Sequence, residues 1–123
     1  MSPAPHLSLG EQGESLARAA LEREGYEILA TRYRFQRGEI DIIARDGTCL
    51  VFVEVKTRRN HERGTPAEAV TRGKQRQLIR LASAYLALVR PVAEACRFDV
   101  VAVTVWEDRP PEVVIIRDAF DAS

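Results

Sequence analysis

The segment GEIDIIARDGTCLVFVEVKTR, residues 38–58, constrains the fold more than any other stretch of the chain. Two runs of β-branched and aliphatic residues flank Asp46-Gly47, a dipeptide whose tolerance of positive φ makes it a strong hairpin signal. The sequence therefore predicts two strands, Gly38–Arg45 and Thr48–Thr57, joined at Asp46-Gly47. Side chains alternate along a strand. Val51, Val53 and Val55 share one face, and Leu50, Phe52, Glu54 and Lys56 share the other. Asp41, Glu54 and Lys56 thus interrupt the most hydrophobic part of the chain. Asp41 lies five residues before the turn and Glu54 seven after it, so both fall near the far end of the hairpin. Alternation alone does not bring them onto one face; a bulge or divergence of the strands would.

The flanking elements follow from periodicity and punctuation. Gly13, Leu16, Ala17, Ala20 and Leu21 recur at helical spacing, which predicts a helix over Leu9–Glu24, stopped by Gly25. Tyr26–Arg34 reads as a strand. Thr65-Pro66-Ala67-Glu68 has the form of a capping box with proline at the first helical position. It predicts a second helix whose buried face holds Ala67, Val70, Lys74, Leu78, Leu81, Ala82, Tyr85 and Val89, with Pro91 after its end. Arg97–Val105 and Val113–Arg117 supply two more strands, and Phe98, Val100 and Val103 belong to the core. The order α-β-β-β-α-β-β makes an α/β fold, a mixed central sheet of about five strands flanked by helices. At 123 residues with 46% hydrophobic content, one domain is expected over residues 1–123, with its core at about 10–118.

Composition narrows the function classes. No apolar run reaches the ~18 residues of a membrane span. The first residues carry no basic segment followed by an apolar one, so no secretion signal is read. Cys49 and Cys96 form no CxxC pair and read as small buried hydrophobes of a protein in the reducing cytoplasm. The formal net charge is zero, but it is unevenly spread. Residues 32–80 hold twelve Lys and Arg against six Asp and Glu, and the remainder holds six against twelve. A basic middle makes a local positive face that attracts phosphate, or simply a solvated surface.

The acids within the hairpin admit two arrangements, because an uncompensated buried carboxylate is expensive. In one, Glu54 and Lys56 are edge charges or a neutralising pair. In the other, Asp41 and Glu54 bind a divalent cation and Lys56 stands beside it. Hard oxygen donors suit Mg²⁺, which keeps several waters and leaves room for a phosphate oxygen. Such a metal lowers the pKa of bound water and offsets charge in a phosphoryl transition state, where an ammonium also helps.

An acid, a gap of about a dozen residues, and then Glu54-Val55-Lys56 resembles the PD-(D/E)-x-K nuclease motif. The wider pattern is more specific: G-E-I-D-I-I-A, V-F-V-E-V-K-T-R, G-T-P-A-E-A-V-x-x-x-K and R-F-D-V-V. Together, over about Gly10 to Val105, these resemble the YraN-type family of small bacterial proteins. That family is similar to archaeal Holliday-junction resolvases and to the restriction-endonuclease-like fold. The resemblance implies a Mg²⁺- or Mn²⁺-dependent nuclease, endo- or exonucleolytic, acting on DNA rather than RNA, with branched or flapped structures as candidate substrates. It matches Asp41 and Glu54 to the metal-binding acids, Lys56 to the catalytic lysine, and Glu14 to a first-helix glutamate that completes the metal set. Ile40 stands where the motif's name has proline. A homodimer is expected by the same analogy. The alternative function is a non-catalytic nucleic-acid-binding or protein-interaction module on the same fold.

Around this constellation, Arg58, Arg59, His61 and Arg63 read as a polar loop whose arginines grip a nucleic-acid backbone or face solvent. Arg34 and Arg37 alternate with Tyr33 and Phe35, a pattern of base stacking with phosphate contact or of core aromatics on a strand. Lys74 either snorkels from the buried face of the second helix or reaches the carboxylates or a phosphate. Glu39 is expected to be solvated or salt-bridged.

Overall fold

The structure, a computed structural model, describes residues 7–60 and 70–122. Helix α1 spans Leu9–Arg23. Ser8 caps it reciprocally: the Glu11 amide donates to Ser8 Oγ at 3.1 Å, and the Ser8 amide donates to Glu11 Oε1 at 3.2 Å. At its end the Tyr26 amide reaches the Leu21 carbonyl and the Gly25 amide the Glu22 carbonyl. This Schellman closure requires the left-handed φ of 89° that Gly25 adopts. Five strands follow the expected order: β1 Glu27–Phe35, β2 Gly38–Asp46, β3 Cys49–Arg59, then α2 Arg72–Val89, β4 Ala95–Val105 and β5 Glu112–Phe120. They lie in the sheet in sequence order, antiparallel except for the parallel pair β3–β4.

The two helices cover opposite faces of the sheet. Ala17 and Leu21 of α1 pack on Ile42, Ala44, Val51, Val53, Val101 and Val103. Leu78, Leu81, Ala82 and Tyr85 of α2 pack on Ile43, Leu50, Phe52 and Phe98. Burial on both sides explains why Leu50–Val53 of the central strand β3 reads as a continuous apolar run rather than as an alternation of apolar and polar residues. Its valines face α1, and Leu50 and Phe52 face α2, as the pattern predicts. Among the described residues no helix is long and apolar enough to cross a membrane.

Cys49 is only partly buried and Cys96 is exposed, so neither is the buried hydrophobe expected. Two further local expectations are corrected. The hairpin closes at the pair Asp46↔Cys49, so its loop is Gly47-Thr48, one residue later than expected. Gly47 takes the left-handed φ of 61° at the first loop position, which glycine tolerates best. Second, α2 does not run back through Val70. Thr71 has extended backbone and accepts the Lys74 amide on Oγ1 at 3.2 Å, giving the helix an N-cap there. The Thr65–Glu68 capping box and Ala67 lie outside the described residues. Val70 is buried ahead of the helix, and Val89, its last residue, is half exposed where the chain leaves through a left-handed Arg90.

Candidate active site at a strand fork

Strands β2 and β3 stop pairing before either one ends. Their ladder runs from Asp46↔Cys49 to Ile42↔Val53 and goes no further. β2 stays with β1 through Phe35↔Gly38, and β3 stays with β4 through Arg59↔Val105. The sheet therefore forks, and the next pair would have been Asp41 opposite Glu54. Within the fork Asp41 Oδ2 accepts the Val55 amide at 2.8 Å, a donor that a continued ladder would have given to β2 backbone. Across β1, the residue facing Asp41 between the pairs Thr31↔Ile42 and Tyr33↔Ile40 is Arg32, in a left-handed conformation with φ of 50°. The alternation of β2 breaks at the same level: Ile42 packs in the α1 cluster and Ile40, two residues away, in the α2 cluster. This is the divergence that places both acids at one site.

Glu54 is only 4% exposed, and its Oε2 is the one buried side-chain polar atom among the described residues that lacks a hydrogen-bond partner. Two ammonium groups stand near without donating: Lys56 Nζ lies 4.0 Å from Oε1 and Lys74 Nζ 3.9 Å from Oε2. These are ion-pair distances, too long for hydrogen bonds. Burial, reinforced by the neighbouring Asp41, raises the Glu54 carboxyl to about 7 against the pull of Lys74 and Lys56. Burial also raises Asp41, opposed by the Val55 amide and Lys74. The pair is short of positive charge despite its lysines.

Helix α1 brings the third acid. Gly13 lies so close to β3 that a Cβ there would overlap the Thr57 side chain, and this close approach seats Glu14 beside the fork. Glu14 accepts from Arg32 Nε at 2.9 Å. A cleft of about 480 Å³ opens here, lined by Glu14, Arg32, Asp41 and Lys56 among others. Its wall carries four carboxylates (Glu11, Glu14, Glu39, Asp41) against three cations (Arg32, Arg34, Lys56), so it favours an incoming cation. Among the described residues no three His, Cys, Asp or Glu side chains are gathered as a ready-made metal cluster. Asp41 and Glu54 nevertheless suit a hard divalent cation that keeps most of its waters: both are oxygen donors, and one oxygen has no other partner. Glu14, on the same cleft wall as Asp41, is engaged by Arg32.

The expected backbone-binding residues fall into separate groups. Arg34, Arg37 and Lys74 line a second groove of about 410 Å³, whose wall also includes Glu39. Glu39 is salt-bridged to Arg34 at 3.2 Å. Arg58 and Arg59 lie on β3 itself rather than in a loop, because the parallel ladder with β4 continues through Arg59↔Val105. Arg58 donates to Thr104 Oγ1 at 3.4 Å. His61 and Arg63 lie outside the described residues. Tyr33 and Phe35 pack, partly buried, on the α2 cluster, Tyr33 edge-on to Tyr85 at 5.1 Å.

Sequence reasoning missed a second polar cluster. Asp99 is fully buried, yet it accepts from Tyr26 Oη at 2.8 Å, from Arg97 Nε at 3.0 Å and from the Asp118 amide at 3.0 Å. Arg97 also reaches Asp46 at 2.7 Å, and Arg117 donates to Tyr26 Oη at 3.0 Å. The signal was available: Asp99 interrupts an apolar strand just as Glu54 does. The two buried acids differ in how they are satisfied. Asp99 has its partners and ties β4 to β5 and the end of α1, whereas Glu54 does not.

The fold and this fork define a small mixed α/β protein with an acid–lysine cluster where two central strands part. The chain belongs to the uncharacterised protein family UPF0102, whose model matches residues 13–103. It is 53% identical over 114 residues to a UPF0102 protein of Symbiobacterium thermophilum, covering 93% of this chain and 97% of that one. It is 44% identical over 127 residues to a UPF0102 protein of Chlorobium phaeobacteroides, with 99% of each chain covered.

Proposed function

We propose that the protein is a metal-dependent nuclease that hydrolyses phosphodiester bonds in DNA. The observation that carries this reading is the buried Glu54, with an unpartnered oxygen, beside Asp41 and Lys56 at the strand fork. A carboxyl group buried next to another carboxyl destabilises the fold unless a cation offsets it, and such costs concentrate at functional sites. Asp41 and Glu54 are the residues that hold Mg²⁺ or Mn²⁺. When bound, the ion supplies a water of lowered pKa and offsets phosphate charge. Lys56 donates from its ammonium toward the attacked phosphate or the water. Arg34, Arg37 and Lys74, in the adjoining basic groove, hold the strand through its phosphates. The acidic cleft and the basic groove share Arg34 and Glu39, so a strand held in one passes the other. The resemblance of Asp41 and Glu54-Val55-Lys56 to the PD-(D/E)-x-K motif supports the same assignment.

The test is cleavage of branched, flapped and single-stranded DNA in Mg²⁺ and Mn²⁺ by the parent and by Asp41→Asn. Loss of cleavage in a variant that melts with the parent supports the site. An Asp41→Asn protein that cleaves as well as the parent removes Asp41 from it. A second reading, a binding module without catalysis, draws on the two lysines that already face Glu54 and on the absence of a gathered three-acid set among the described residues. It predicts salt-sensitive DNA binding with no cleavage in any divalent metal.

A further inference from the structure

Arg32 stands out because nothing in its residue type suits its position. A non-glycine residue with φ of 50° in the middle of a strand is an outlier that its surroundings must impose. Here it faces Asp41 across the β1–β2 ladder and holds Glu14 by a 2.9 Å charged hydrogen bond. Neither partner is sealed away: the Arg32 side chain is 49% exposed and that of Glu14 21%, and both line the acidic cleft. The cleft wall has more carboxylates than cations, so Arg32 acts there as an internal counter-ion.

Resting on the nuclease reading, the geometry points to Arg32 as an exchangeable counter-ion: a divalent cation entering the cleft takes Glu14 from Arg32, and the released guanidinium takes a phosphate of the substrate. The same movement completes the acid set and creates an anion subsite beside it, so that metal and phosphodiester each favour binding of the other. Arg32 is in this sense a positioning residue toward the metal and a binding residue toward phosphate. A purely structural Glu14–Arg32 pair does neither.

Calorimetric titration of Mn²⁺, and anisotropy of labelled oligothymidine with and without Mn²⁺, separate the two roles. The informative variant is Arg32→Asn, because asparagine tolerates left-handed backbone and is too short to reach Glu14. Removing a competing half-exposed ion pair should tighten Mn²⁺ binding by roughly two- to fivefold. In saturating Mn²⁺ the same variant should bind oligothymidine roughly tenfold more weakly, having lost one charged phosphate contact. Glu14→Gln, which leaves the β1 backbone untouched, should weaken Mn²⁺ binding and tighten oligothymidine binding in the absence of metal. Mn²⁺ binding that is unchanged or weaker in Arg32→Asn overturns the exchange, as does metal-free oligothymidine binding that Glu14→Gln leaves unchanged or weaker. If these results come with Mn²⁺ binding that Asp41→Asn abolishes, the exchange falls alone and the metal site stands. If no protein binds Mn²⁺, with or without oligothymidine, the exchange and the nuclease reading fall together.

Discussion

The carboxylate of Asp41 accepts the backbone amide of Val55 at 2.8 Å, immediately beyond the last pair of the β2–β3 ladder, Ile42↔Val53. A side chain thus takes over from backbone where two central strands separate. The same carboxylate keeps a second oxygen for other ligands. These two uses of Asp41 can be separated by mutation. Asp41→Asn retains a carbonyl acceptor for Val55 and should melt within a few degrees of the parent. Asp41→Ala leaves a partly buried amide unpaired and should cost about 1–3 kcal/mol. Both should lose divalent-metal binding. Thermal denaturation beside metal titration checks this, and an Asn variant as unstable as the Ala variant would show that the amide contact depends on the charge.

Glu54 sets a pH dependence with a definite sign. Its carboxyl titrates at about 7 in the folded protein against 4.5 for the ordinary group, so between these values the folded state binds more protons than the unfolded. Stability therefore falls as pH rises from about 4.5 to about 7, by at most about 3 kcal/mol, and the loss is complete above that range. The raised Asp41 contributes with the same sign. Glu54→Gln, neutral at every pH, should match the parent below about pH 4.5 and exceed it at pH 8. Adding Mg²⁺ at pH 8 should raise the melting temperature of the parent but not of Glu54→Gln. A parent whose stability is flat across this range would show that Lys56 and Lys74 already neutralise Glu54.

The readable and unreadable parts of this fold divide on physical lines. The run Leu50–Val53 was legible as a strand, and its burial on both faces fits the interior of a sheet, which accommodates apolar residues at successive positions. The order of elements followed from such runs and from Gly25 and Asp46-Gly47. The fork was not readable, because it depends on where pairing ends and on a left-handed Arg32, and arginine carries no sign of that conformation. The break ahead of α2 was not readable, because the apolar spacing runs on through Val70 while Thr71, with extended backbone, caps the helix that begins at Arg72. At the site, the types and spacing of Asp41, Glu54 and Lys56 were visible, but the capture of Glu14 by Arg32 was not.

The close approach of α1 to β3 makes Gly13 a further point of test. A methyl group there would overlap Thr57, so Gly13→Ala should destabilise by about 1–3 kcal/mol, although alanine is the better helix former. Combining it with Thr57→Ala should restore part of the loss, since the overlapping hydroxyl and methyl are gone while the β-carbon remains close. Because Glu14 follows Gly13, the single variant should also weaken Mn²⁺ binding. A Gly13→Ala protein as stable as the parent would show that α1 can shift without penalty.

The Asp99 cluster should behave as architecture alone. Tyr26→Phe removes the hydroxyl that joins Asp99, Arg97 and Arg117, and should cost about 1–2 kcal/mol. Asp99→Asn leaves Arg97 with only the partly exposed Asp46 as counter-ion and should cost about 1–3 kcal/mol. Where these variants remain folded, metal and oligonucleotide affinities should equal those of the parent, in contrast to every substitution at the fork. A folded Tyr26→Phe protein that loses metal binding would couple the two clusters through β4.

Salt dependence tests the basic groove independently of catalysis. Arg34 and Arg37 line it with Lys74, and Arg34 is 77% exposed, so its pair with Glu39 is weak and easily exchanged for a phosphate. Each phosphate contact releases counterions and contributes roughly 0.7 to the slope of log affinity against log salt on a single strand. Replacing Arg34 and Arg37 together by alanine should lower the slope by roughly 1.4 and weaken binding on all sequences alike, because phosphate contacts carry no sequence information. Anisotropy titrations on oligothymidine and oligoadenine over a series of salt concentrations measure both effects. An unchanged slope places the strand elsewhere on the protein, and a marked preference between the two oligonucleotides would show that bases as well as phosphates are contacted.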